Sequence, residues 1–252
     1  MKIYLQILIV VLISSCNSSQ PENKYTQIVK NDSVDSIVIA NEESEQQIGD
    51  SLIQRDFFVD STHVGNKGKN KLEARLFESK DSIYIRIEFF TIEQNNWKKK
   101  NQFEFEKDGI SGIDPVITDF NNDSFKDFHY KATIAARGAN DVRRLFIYDH
   151  SGDSLILIKN SLDYPNMVYN KKLDCIDAWL IHGCSSQAFL KIEKDSLIDF
   201  AWVQLSNRIH VYEVDKKGNE NELLNDSTNQ FGCYTRFISY NPLIEYESYP
   251  NE

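Results

Sequence analysis

The sequence predicts an all-β protein, a propeller-like domain of antiparallel hairpins with a β-sandwich as the alternative. Three observations carry this. Apolar residues alternate with polar ones over most of the chain, and no long stretch has the 3.6-residue period of a helix. Short runs of this kind are separated by Asp, Ser, Gly and Asn clusters that read as hairpin turns. An Asp-Ser pair opens an apolar strand at Asp81-Ser82, Asp153-Ser154 and Asp195-Ser196, the last two 42 residues apart, a spacing within the about 40–45 residues of a four-stranded blade.

The chain opens with Lys2, an apolar run from Ile3 to Ile13 broken only by Gln6, and Ile13-Ser14-Ser15-Cys16. This run is shorter than the about 20 residues a membrane helix needs, and it reads as a signal-peptide core over residues 1–15. Ile-Ser-Ser-Cys resembles the bacterial lipobox. The resemblance implies that Cys16 becomes the first mature residue and carries acyl chains that anchor the protein in a membrane. Residues 16–50 are rich in Asn, Ser, Gln and Glu, with one apolar patch at 37–40 that could form a first edge strand. A segment so poor in apolar surface reads as a solvated tether.

Residues 51–247 are expected to form a single β-domain. The clearest strand is Ser82 to Phe90, where Ile83, Ile85, Ile87 and Phe89 share one face. Phe103 and Phe105 alternate with polar neighbours; Val116 and Ile117 precede an acidic loop, and Phe128 and Tyr130 follow it. Leu145 and Ile147 lead to the turn Asp149-His150-Ser151-Gly152-Asp153 and then to Leu155–Ile158. Leu173 to Ile181 and Gln187 to Ile192 flank His182-Gly183. Leu197 to Leu205 and Ile209 to Val214 follow, then a turn at Lys216-Lys217-Gly218-Asn219 and a last strand over Tyr234 to Ser239.

The acidic loop is the densest chemical signal. Asp119, Asn121, Asp123 and Asp127 stand at positions one, three, five and nine of D-F-N-N-D-S-F-K-D. Alternate residues of a tightly curled loop can all point inward, and a hard cation such as Ca²⁺ needs about six to eight oxygens. Three side chains, the Phe125 carbonyl and the Asp127 carboxylate would supply them. Tyr130 stands where an EF-hand needs Glu, and Ser124 where the sharp turn usually has Gly. The plain alternative is a turn, because Asp and Asn bond their own backbone.

The net charge of −10 with no basic cluster argues against nucleic-acid binding. Cys184 and Cys233 each follow a glycine, as loop cysteines do, and in an exported protein they are disulfide candidates; Cys175 lies in an apolar run as a buried thiol. His182 with Cys184 is at most half of a zinc site. No serine-nucleophile elbow, His-Glu-x-x-His, phosphate loop or Cys-x-x-Cys is present. Asp174 and Asp177 read as solvent-facing strand residues. Arg137, Asn140, Arg143 and Arg144 form a polar stretch after the acidic loop, a candidate partner surface.

The loop Asp119–Asp127 resembles the calcium loop of FG-GAP and VCBS-type repeats in β-propellers. Together with Gly138, Asn140, Phe146-Ile147-Tyr148-Asp149 and Pro165, it is similar to a family of exported bacterial β-propeller-like proteins. One type in that family is an immunity lipoprotein that inhibits a lysozyme-like toxin delivered by a neighbour's secretion system. The resemblance leaves the first half and the C-terminal part of the chain unaccounted for. It implies a non-catalytic, calcium-braced lipoprotein of the bacterial envelope, facing the periplasm or the cell surface, with an envelope protein as partner. Aromatic residues such as Trp179 and Trp202 keep a carbohydrate-binding alternative open, and abundant carboxylates a glycan hydrolase.

Overall fold

The computed structural model describes residues 52–228, 230–248 and 250. The signal segment, Cys16, the tether and the apolar patch at 37–40 lie outside these residues. The described chain is all-β: every sheet is an antiparallel meander, and the strands do not close into a barrel. Among the described residues no helix is long and apolar enough to cross a membrane.

Three meanders follow one another. The first sheet holds β1 (Ile53–Asp60), β2 (Asn70–Glu78), β3 (Ile83–Glu93) and β4 (Asn96–Glu106), and the second holds β5 (Pro115–Thr118), β6 (Asp127–Ala135), β7 (Asn140–Asp149) and β8 (Ser154–Leu157). The third has six strands: β9 (Val168–Asn170), β10 (Cys175–His182), β11 (Cys184–Glu193), β12 (Ser196–Leu205), β13 (Ile209–Val214) and β14 (Glu220–Asp226). A small hairpin of β15 (Phe237–Tyr240) and β16 (Leu243–Glu245) ends the domain.

The sheets pack on one another through their apolar faces. Leu72, Ile85, Ile87 and Phe89 of the first sheet pack with Phe128, Tyr130, Phe146 and Tyr148 of the second. On the second sheet's other face, Leu145 and Ile147 meet Ile176, Ala178 and Leu190 of the third. The third sheet buries Phe189, Val203 and Val211 against Phe237 of the terminal hairpin. The second sheet is therefore covered on both faces. This is why β7 runs Leu-Phe-Ile-Tyr through four consecutive buried positions instead of alternating.

Several strands differ from the expectation. β2 carries its buried stripe as Leu72, Ala74 and Leu76, a pattern the central alanine weakens. β1 is a bulged edge strand, and β14 is an edge strand exposed along nearly its whole length, so neither shows clean alternation. The strand expected over Tyr234 to Ser239 is β15, which starts at Phe237, and a further strand, β16, follows it. Of the three Asp-Ser pairs, Asp153 and Asp195 each precede the fourth strand of their sheet, whereas Asp81 precedes the third of its own. Only the pair 42 residues apart marks equivalent positions.

Candidate functional site

The acidic loop joins β5 to β6 and is closed by its own side chains. Asp119 accepts main-chain N–H bonds from Asp123 (3.2 Å) and Ser124 (2.9 Å). Asn121 donates to Asp123 Oδ2 at 2.9 Å, and Asp123 Oδ1 accepts from Phe125 N at 2.8 Å. The sharp turn falls at Asn122 and Ser124, with φ of +59° and +75°. Ser124 thus occupies a left-handed conformation that glycine would adopt without a Cβ penalty. Phe120 anchors the loop in the second core and packs edge-on against His129. On the far side Gly65, in the β1–β2 loop, donates its N–H to the Lys126 carbonyl at 2.8 Å. Its φ is +59°, and an added Cβ would lie 2.7 Å from Asn70 Oδ1.

Asp127 is the pivot. It is fully buried, and its carboxylate accepts N–H bonds from Phe120 (2.7 Å) and Tyr148 (2.9 Å), tying the loop to β7. Burial pushes its pKa up to about 7 against the effect of these amides, and the nearby charges of Asp123 and Asp119 push the same way. The donor set of Asp119, Asn121 and Asp123 is all oxygen, as a hard cation requires. Asp127, expected as the position-nine ligand, has each oxygen on a main-chain amide, as Asp119 also has, but Asp127 alone of the two is fully buried. Among the described residues no three His, Cys, Asp or Glu are grouped as metal ligands. Asp119, Asn121 and Asp123 are the residues whose chemistry would suit such a cation, and Asp127 braces the loop beneath them.

The polar stretch after the loop divides in two. Arg137 sits at an exposed tip where Ala136, Arg137 and Gly138 take consecutive left-handed conformations, with φ of +48°, +57° and +95°. The base of this tip is locked. Asn140 Nδ2 donates to the Ile181 carbonyl (3.1 Å) and its Oδ1 accepts from Ile181 N (2.9 Å). Asn166 Nδ2 donates to the carbonyls of Ala139 (3.0 Å) and Trp179 (2.8 Å).

Arg143 and Arg144 correct the expectation of an exposed pair. Arg143 is buried and bonds Asp114 Oδ2 and Asp141 Oδ2, both at 2.8 Å. Burial disfavours the Asp114 charge, but Lys131 and Arg143 hold its pKa below the ordinary value. Arg144 lies half-buried over the Phe105 ring, 3.9 Å from its centroid. As consecutive strand residues they project to opposite faces, and each meets neighbours there because β7 is covered on both sides.

Cys184 and Cys233 are joined by a disulfide that staples the start of β11 to the segment before β15, with Cα atoms 4.7 Å apart. Cys175 is a buried free thiol, its pKa pushed up to about 12 by burial first. His182 pairs with Ser186 Oγ at 2.8 Å. Asp177 is another correction: it is fully buried rather than solvent-facing. It takes the Arg236 guanidinium, the Tyr246 hydroxyl (2.6 Å) and the Asn170 amide (3.2 Å). No alternation rule marks it, since its partners Arg236 and Tyr246 lie 59 and 69 residues away.

No family model and no curated protein matches the chain. Among solved structures, one described as a "Xanthomonas Type IV Secretion System related protein" is similar over 69% of this chain and 93% of its own. The TM-score is 0.39 and the identity 10%. Likeness at that level carries neither the fold nor a role across.

Proposed function

We propose that this chain is a non-catalytic binding module of the bacterial envelope, tethered by acyl chains on Cys16, that presents the Arg137 tip to a protein partner. The observation that carries the reading is the left-handed run at Ala136, Arg137 and Gly138 above a base bonded to β10. Non-glycine residues in that region cost about 1–3 kcal/mol each and persist where surrounding structure holds them. A tip already held in one conformation loses less entropy on binding than a free hairpin end. Inhibition of a lysozyme-like hydrolase, the role of one type in the family this chain resembles, is the sharpest form of this reading.

The test is inhibition of a purified lysozyme-like enzyme by the mature chain. We expect Arg137→Glu to abolish inhibition and Glu104→Ala, on the first sheet's outer face, to leave it unchanged. Failure to retain any envelope protein in a pull-down sinks the reading.

Calcium in the acidic loop belongs to the same proposal. Asp119, Asn121, Asp123 and the Phe125 carbonyl would hold the ion, which would offset the mutual repulsion of Asp119, Asp123 and Asp127. A tenfold excess of calcium over Kd gives about 1.4 kcal/mol of stabilisation. Asp119→Ala is expected to lower the melting temperature in calcium and change it little in EDTA. Equal losses in both conditions would reduce the loop to a turn.

A second reading, carbohydrate binding, draws on one feature. Trp202 and Tyr212 stack at 4.1 Å on a face of the third sheet, beside His210 and Glu222. Glycan-array signal lost in Trp202→Ala would favour it.

A further inference from the structure

The β3–β4 hairpin turns at Gln94 and Asn95, both left-handed, with φ of +51° and +62°. The ladder sets the β1–β2 loop beside this turn. Asn70 pairs with Thr91, Lys71 with Phe90, and Ile92 donates its N–H to the Lys69 carbonyl at 2.9 Å. Two separate segments thereby form one end of the first sheet.

Lysines collect at this end. Residues 60–71 and 90–101 hold Lys67, Lys69, Lys71, Lys98, Lys99 and Lys100 against two acids, Asp60 and Glu93. All but Lys71 are exposed. Across the whole chain acids outnumber Lys and Arg by 38 to 28, so the sign is reversed here. At the opposite end of the same sheet, residues 53–56, 78–83 and 104–108 hold six acids against three basic residues.

The neighbouring carboxylates do not neutralise the lysines, because each carboxylate is shared. Glu93 takes Lys98 (2.8 Å) and Lys100 (3.2 Å), and Glu88 takes Lys99 (2.9 Å) and Arg75 (2.6 Å). Glu73 takes Lys71 (2.5 Å) and Arg75.

Apolar side chains stand among these charges. Ile92 and Trp97 are cross-strand partners and are 37% and 40% exposed. The Lys71 ammonium lies 4.3 Å from the Phe90 ring centroid and 5.4 Å from that of Trp97. Lysines on an edge strand guard it against pairing with another chain. That role accounts for β4. It does not account for Lys67 and Lys69 in the loop, for Lys71 on the inner strand β2, or for the exposed Trp97 and Ile92.

We propose that this end of the first sheet docks on an anionic phospholipid surface. The lysines meet the headgroup phosphates, and Trp97 and Ile92 enter the interface between them. Anionic lipid attracts clustered lysines, and tryptophan favours the boundary between headgroups and acyl chains. Lysine stems lie along apolar surface while their ammonium groups stay in the polar layer. The sign reversal between the two ends of the sheet orients the basic end towards such a surface. A nucleic acid would use the lysines, but its phosphates offer nothing to the Ile92 side chain. The tip needs no tether to bind, so the inference stands apart from the acyl anchor, the Arg137 tip and calcium.

Tryptophan fluorescence of the full chain tests it, in vesicles of phosphatidylcholine brominated on its acyl chains. One set of vesicles is neutral and the other holds about a third phosphatidylglycerol. We expect quenching in the anionic vesicles at low salt, and its loss at high salt, where surface charges are screened. Trp97→Phe should remove most of the quenching, since Trp179 and Trp202 lie on another sheet. Lys67→Gln/Lys98→Gln/Lys100→Gln should cut it by about threefold or more, with an unchanged melting temperature. Flotation with the neutral vesicles reports the N-terminal anchor separately, so a chain without an anchor still shows whether the tip docks. The proposal is overturned if quenching is equal in neutral and anionic vesicles, or if it persists in Trp97→Phe or in the lysine variant. Loss of quenching to a single-stranded oligonucleotide competitor would overturn it in favour of nucleic acid.

Discussion

The first and second sheets are both four-stranded antiparallel meanders, yet their sequences look different because their surroundings differ. The first sheet buries one face and leaves the other to water. Its outer face carries a ladder of charge, Lys71–Glu73 at 2.5 Å, Arg75–Glu88 at 2.6 Å and Lys99–Glu88 at 2.9 Å, between exposed aromatics such as Phe57 and Trp97. The second sheet has a neighbour on each side. Charged residues that turn inward there are paired, as Arg143 is with Asp114 and Asp141, or held by main-chain amides, as Asp127 is. One open face turns charge into a surface ladder of little energetic weight. Two closed faces turn each charge into a structural commitment.

The largest expected difference between the sheets lies in their aromatic residues. Phe146 is fully buried in the first core, with its ring centroid 5.1 Å from that of Phe103 and 5.8 Å from that of Phe128. Phe146→Ala should cost about 3–5 kcal/mol by denaturant unfolding. A cost comparable to that of an exposed phenylalanine would mean that the second sheet is not covered on both faces.

Asp127 sharpens the same contrast through pH. Its folded pKa of about 7 lies above the ordinary carboxyl value of 3.8. Between these values the folded protein keeps a proton that the unfolded chain has released. Stability from this group is therefore complete below about pH 4 and falls as pH rises towards 7, by on the order of 2–4 kcal/mol. Asp153, at the β7–β8 turn, has its pKa lowered to about 2, with burial opposed by bonds from Asn70, Thr91 and Tyr148. Its contribution is lost only as pH drops towards that value, outside the Asp127 window. Unfolding in EDTA at several pH values should show the slope, and Asp127→Asn should flatten it. An unchanged slope in the variant rules out Asp127 as its source.

The smallest effect belongs to the open face. Phe57 on β1 is 46% exposed, with the Arg75 guanidinium 5.3 Å from its ring centroid. Phe57→Ala should change stability by less than about 0.5 kcal/mol. A loss several times larger would imply that something covers this face in the folded protein.

Legibility in the sequence followed the same division. β3 was plain because Ile83, Ile85, Ile87 and Phe89 alternate on a half-covered sheet. The turns at Asp149–Asp153, at Gly183 and at Gly218 were plain because their chemistry is local, and both glycines take positive φ. The acidic loop was visible as a curled Asx turn with its bend near Ser124, but nothing local told that Asp127 turns inward to Tyr148. Arg143 and Arg144 read as an exposed pair because the partners that absorb them, Asp114 and Phe105, come from other segments. The lysine cluster gave no signal at all, since its two segments meet only across the ladder of β2, β3 and β4.

What the sequence determined by itself was the strand-and-turn alphabet: period-two runs, glycine and Asx turns, and the cysteines that meet in a disulfide. These depend on backbone preferences and on neighbours a few residues apart. Which faces close, which charges go under and which gather at one end were decided only by tertiary structure. The free energy of burial depends on the atoms that arrive from distant parts of the chain, and a residue's own neighbours in sequence do not specify them.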